Sequence, residues 1–146
     1  MSITHAKVSA IADGADTDLV RPVDWNADHV TTTKLLSHTR VKDAASGDVA
    51  YTGYGFQPSA LIVFASDTTR LNWGVADSNL ANMGASLDGE TPVYSIYTTY
   101  LIVISTGANS QTALLKTLDA DGFTLTWAKS GAGTSYDITF TVLAFG

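Results

Sequence analysis

The chain has 146 residues and a mass of 15.4 kDa, enough for one domain with a real hydrophobic core and too little for two. With 45% hydrophobic and 15% charged residues it reads as a folded protein, and its net charge of −6 argues against nucleic acid, whose binders need a basic patch to displace counterions. The absence of cysteine excludes disulfide frameworks, zinc–thiolate sites and thiol nucleophiles.

The opening MSITHAKVSAIADGAD lacks the apolar core of a signal peptide, so the chain is expected to be soluble and made without export. Residues 1–33 hold five of the fourteen acidic residues and show almost no apolar periodicity. Within them RPVDWNADHV (21–30) has neither a helical nor a strand period. Residues 1–33 are predicted to form an extended N-terminal arm, with a short helix over Asp16–Val20. From Leu35 onward β-branched and aromatic residues dominate between clusters of Gly, Asn, Asp and Ser, which predicts an all-β domain over 34–146.

SALIVFAS (59–66) reads as an apolar strand following Pro58, with RLNWGVAD (70–77) as its hairpin partner across a turn at Asp67-Thr68-Thr69. Asn79–Gly84 is expected to form a short helix. VYSIYTTYLIVIS (93–105) reads as one alternating strand, with Tyr94, Ile96, Tyr100, Ile102 and Ile104 on one face and Tyr97 on the other. It is too short and too rich in hydroxyls to span a bilayer. TALLKTLDADGFTLTWAKS (112–130) predicts a hairpin about Asp119–Gly122, with Phe123, Leu125 and Trp127 sharing a face. YDITFTVLAF (136–145) places Ile138, Phe140, Val142 and Ala144 together. Roughly seven or eight strands result, as in an antiparallel, jelly-roll-like β-sandwich.

Little of this looks catalytic. His5, His29 and His38 lie near Asp24 and Asp28 in sequence or alone, without the fixed spacing of a zinc motif, and no metal site is predicted. DGADTD (13–18) and DADG (119–122) suggest calcium, but Ser130 stands where an EF-hand loop from Asp119 needs a bidentate Glu. Asp119 and Asp121 are read as turn formers, Asp13 and Asp16 as turn and cap residues. Gly84-Ala85-Ser86-Leu87-Asp88 lacks the second glycine of a nucleophile elbow, and SGAGTS (130–135) lacks the lysine and helix of a phosphate loop. Asp88 and Glu90 are read as solvated neighbours. The prediction is a non-enzyme without cofactor. Among Trp73, Trp127, Tyr94, Tyr97 and Tyr100, most are expected to fill the core. Asn72, Trp73 and Tyr97 form the candidate glycan-binding set.

The segment HAKVSAIADGADTDLVRPVDWNADHV (5–30) resembles a short lead of the form "adGaD…lVrPsdWNa.H" that opens many tailed-bacteriophage structural proteins, ahead of unrelated C-terminal domains. TGYGFQPSALIVF (52–64) and DADGFTLTW (119–127) resemble the "tG.GF.P..vi.f" strand and "DaDGFtl.w" hairpin of a phage β-domain. The closing TVLAFG lacks the tyrosine of the similar "YLAlg" ending. The resemblance implies a virion protein, assembled in the host cytoplasm and acting as a capsid decoration or head-fibre subunit. It would dock on a major capsid or tail protein through Leu19, Val20, Arg21, Pro22, Asp24, Trp25, Asn26 and His29. An extended segment suits this: its backbone can pair with a partner's sheet edge while Leu19, Val20 and Trp25 fill pockets. A homo-oligomer is expected, a trimer being one candidate. Two alternatives stand beside this. Residues 5–30 would instead cap the chain's own sandwich, or the protein would be a tail-fibre or tail-tip module reading host surface glycan through Asn72, Trp73 and Tyr97.

Overall fold

The period-two alternation folds as antiparallel ladders throughout. The structure, a computed structural model, describes residues 2–3, 29–30, 32–80, 82–89 and 93–146. It divides the chain into two compact units, 1–32 and 33–146. In the first, β1 (Ser2–Ile3) pairs with β2 (His29–Val30), Ser2 opposite Val30 and Ile3 opposite His29. These two short strands are the described part of this unit after Met1 and before Thr32; the course of the predicted arm between them lies outside the described residues. The predicted helix at Asp16–Val20, the 13–18 acidic segment and His5 lie outside the described residues.

The second unit holds β3 (Thr33–Arg40), β4 (Gly47–Thr52), β5 (Ala60–Ser66), β6 (Arg70–Asp77) and β7 (Asn82–Asp88). It continues with β8 (Tyr94–Tyr97), β9 (Ile102–Thr106), β10 (Asn109–Asp119), β11 (Gly122–Ser130) and β12 (Ile138–Phe145). A six-stranded sheet runs in the order β3-β12-β5-β6-β7-β8 and a four-stranded one in the order β4-β11-β10-β9. This is the antiparallel β-sandwich expected, with more strands than the sequence suggested. Its connections make two stacked meanders, β5–β8 and β9–β11, rather than the paired Greek keys of a jelly roll.

The β5–β6 hairpin forms where predicted: Asp67 Oδ1 accepts the backbone N–H of Thr69 (2.9 Å) and of Arg70 (2.8 Å). Two other expectations are corrected. Asn79–Gly84 is no helix, because a turn at Asp77–Leu80 (Leu80 N to Asp77 O, 2.9 Å) leads into β7 at Asn82. The 93–105 run is two strands in different sheets. Between them Tyr100 and Leu101 cross the inner face of β6 and β7, and Leu101 N–H already donates to Ala113 O of β10 at 2.8 Å.

That crossing demands glycine beneath it: a Cβ on Gly74 would lie 2.1 Å from the Leu101 carbonyl oxygen, and one on Gly84 2.6 Å from that of Tyr100. It also turns β6 over. The inward positions are Arg70, Asn72, Gly74 and Ala76, while Leu71, Trp73 and Val75 face out.

Between the sheets lie Leu61, Val63, Ile104, Leu115, Phe123, Leu125, Ile138, Phe140 and Val142, all at most 2% exposed. Trp127 sits among them with its Nε1–H donated to the Tyr51 hydroxyl (3.0 Å) and the Arg40 guanidinium 4.9 Å from its ring centroid. Arg40 also donates to Gln111 Oε1 (2.9 Å) and to the Ala45 carbonyl, and Gln111 Nε2 donates to the carbonyls of Val41 and Lys42. At the β3 edge His38 packs against Tyr51 and Phe140, with Nε2 3.0 Å from the Tyr54 hydroxyl. Burial lowers the His38 pKa below 6.5 and pushes the Tyr54 hydroxyl up to about 12, so both partners are neutral at pH 7.

Two outcomes follow. Gly74→Ala has no room and is expected to lower the urea-unfolding free energy by about 3 kcal/mol, as overpacking does elsewhere. A stability unchanged from wild type would show that the 100–101 crossing yields. For His38, the unfolded state binds a proton more readily than the folded one, so stability falls as pH drops through 6.5 and levels off below the folded pKa. The urea midpoint of wild type, referred to His38→Gln at each pH, should decline between about pH 7.5 and 5.5. A constant difference would mean that the buried ring does not resist protonation.

Candidate functional site

Three features of the sandwich face outward chemistry. The first joins the two downstream motifs. The Asp121 carboxylate accepts the backbone N–H groups of Gly53 (3.0 Å) and Gly55, and Tyr54 N–H donates to the Asp121 carbonyl. These bonds hold its pKa below the usual carboxylate value. Gly122 pairs with Thr52, at φ +147°, so close that a Cβ would lie 2.0 Å from the Tyr51 carbonyl oxygen. The turn centre is Ala120-Asp121, with Asp119 opposite Gly122, one residue earlier than an Asp-Gly centre. Asp119 accepts the Thr124 hydroxyl instead. TGYGF and DADGF thus form one corner, and Asp121 is a clamp as well as a turn former.

The second is the outer face of the six-stranded sheet. Among the described residues, nine of the thirteen exposed large hydrophobic residues lie here, at 37–62% exposure. Strand register arranges them in rows. One row runs Leu35, Leu143, Ile62, Val75, Met83 from β3 to β7; the next carries Phe64, Trp73, Ala85 and Ile96; a third ends Leu71, Leu87, Tyr94. Trp73 and Tyr94 stack with centroids 6.0 Å apart and planes 28° apart. No charged side chain stands in these rows. A patch this broad exceeds the scattered apolar exposure of an ordinary soluble surface.

The third is a polar cleft of about 270 Å³ at the open edge between the sheets. Arg70 and Asp88 line it, their Nε and Oδ2 3.6 Å apart, with the Ser86, Ser95 and Ser105 residues and Tyr97. Arg70 is 8% exposed and also contacts the buried Asp67 carboxylate at 3.4 Å.

The sequence-predicted glycan set is not brought together. Trp73 lies on the outer face, Tyr97 lines the cleft on the inner side, and Asn72 is 1% exposed with its Nδ2 donated to Ala85 O (2.8 Å). Asn72 is a core residue, so it cannot contact a ligand alongside Trp73. Trp127 is core as expected, but Trp73 and Tyr94 are not. The residues missed were Phe64, Met83, Ile96 and their neighbours outside, and Arg70, Asp88 and Ser105 in the cleft. Apolar residues on both faces of β5 were the available signal. Of the docking set, His29 is placed in β2; Leu19, Val20, Arg21, Pro22, Asp24, Trp25 and Asn26 lie outside the described residues. Among the described residues no group of three or more His, Asp and Glu is placed to hold a metal.

Set against protein-family models, curated proteins and solved structures, the chain matches none.

Proposed function

We propose that this chain is a non-enzymatic structural protein of a tailed-bacteriophage particle, a capsid decoration or head-fibre subunit docked through residues 1–33. The observation that carries the reading is the set of apolar, uncharged rows on the outer face of the six-stranded sheet, bordered by Asp77 at one end, a surface suited to being covered in an assembly. The resemblance of residues 5–30 to the phage lead supplies the kind of assembly. The Asp121 corner adds support, since it gives the two downstream motifs a shared structural reason to occur together. In this reading Trp25, Leu19 and Val20 supply the apolar anchors of docking. Arg21 and Asp24 set its register, Pro22 limits the conformations lost, and Asn26 and His29 complete the motif. Many weak attachments on one particle would sum by avidity.

A receptor-binding module at the tail is the second reading, favoured by the cleft: an aromatic ring, three serines and an Arg–Asp pair are groups that hold a sugar's hydroxyls and its apolar face.

Quantitative mass spectrometry of purified virions separates them. Copies comparable to the major capsid protein are expected, with Trp25→Ala lost from particles; absence from the virion would end the proposal. A glycan array tests the second reading, for which Tyr97→Ala would abolish a wild-type signal and Trp73→Ala would leave it.

A further inference from the structure

We infer that the outer face of the six-stranded sheet is a self-association interface, and that its occupant is the same face of a second copy of this chain. This rests on the reading of the protein as an assembling structural subunit and names the partner of that surface.

Area comes first. Nine side chains at roughly half exposure, each of order 150–200 Å², present about 800 Å² per copy, the contribution of each partner to a standard stable interface. Continuity comes second. Together the rows reach across all six strands without an intervening loop, so two such faces can stack as twisted sheets do in a sandwich, about 10 Å apart.

Charge selects the occupant. The chain carries −6 overall, so two copies repel except where surface charge is absent. The three rows are such a region. A two-fold contact needs a self-complementary patch, and rows without charge set no like charges against each other across it. A partner recognised by charge would need charged residues within the rows, and the nearest, Asp77, stands at their border beside Val75 and Met83.

Aromatic residues strengthen the assignment. The stacked Trp73 and Tyr94, with Phe64 and Ile96 beside them, make a compact anchor cluster near the β6–β8 side. Interface energy concentrates in such clusters, and threonines 139 and 141 at the β12 side supply a polar margin.

The test is the solution mass of the purified full-length chain, by light scattering and sedimentation velocity from about 1 to 100 μM, a range at or above the dissociation constants of standard interfaces. Wild type should run at twice the 15.4 kDa chain mass. Phe64→Glu and Ile96→Glu, each at an exposed position, should retain the wild-type circular dichroism spectrum. Each should run as single chains, with association weakened at least about 100-fold by the buried charge. Phe64→Ser and Ile96→Ser replace them if either glutamate variant fails to fold. A larger even-numbered oligomer that the same variants halve would uphold the face and its occupant; a trimer would overturn it, since a two-fold contact closes at two. Single-chain mass at every concentration would overturn the inference, whether the face is bare or covered by residues 1–32. So would association that survives both face variants but is lost in Trp25→Ala. The particle plays no part in this measurement: a dimer from a chain absent from virions would keep the interface and remove the virion assignment.

Discussion

The indole of Trp127 joins the two layers. It belongs to the four-stranded sheet, yet its ring is covered by Arg40 from β3 and touches Phe140 from β12, both in the other sheet. A guanidinium is an expensive group to place between sheets. Its desolvation is offset by the ring face, by Gln111 Oε1 and by the Ala44 and Ala45 carbonyls. Gln111, fully buried, then holds the Val41 and Lys42 carbonyls, so the 41–45 loop takes its course from the same knot. Each member satisfies a polar group that another would leave unpaired, which makes the cluster all-or-none.

With the layers held there, the rest of the sandwich sorts by which face each strand turns inward. The six-stranded sheet is apolar on both faces, but the four-stranded sheet covers only one. Crossing residues 100–101 take up the space over Gly74 and Gly84, and β6 meets them with its smallest and most polar positions. Its large residues are left outside. The apolar outer face is thus a consequence of how the two sheets are bridged. That physical circumstance underlies the proposed structural role: such a surface is stable in water only at a cost that association removes.

The polar cleft has the same origin. At the β6–β8 edge, Arg70, Ser86, Asp88 and Ser95 occupy inward positions where the opposing sheet offers only β9. There the interlayer opens, and groups that would be unpaired in a core reach solvent or each other. The corner at Asp121 shows a contrasting economy, in which one carboxylate and two backbone pairings tie residues 52–55 to a turn nearly seventy positions later.

Much of the fold was legible in the residues alone. Turn chemistry at Asp67-Thr68-Thr69 and about Asp119–Gly122 predicted two hairpins, and the alternation in β11 and β12 predicted their inward faces, because each depends on neighbours a few positions apart. Trp127 was core for the same reason. What the chain could not announce were relations between distant segments. Trp73 belonged to an aromatic set expected mostly in the core; the crossing at Tyr100–Leu101 takes the space over Gly74, and Trp73 faces out. The break in 93–105 carries no proline or glycine, and comes from Leu101 pairing with Ala113. Asn72 left the predicted glycan set because its amide is needed by the Ala85 carbonyl inside. Local pattern sets which residues alternate; the side that faces water depends on what another sheet has room to cover.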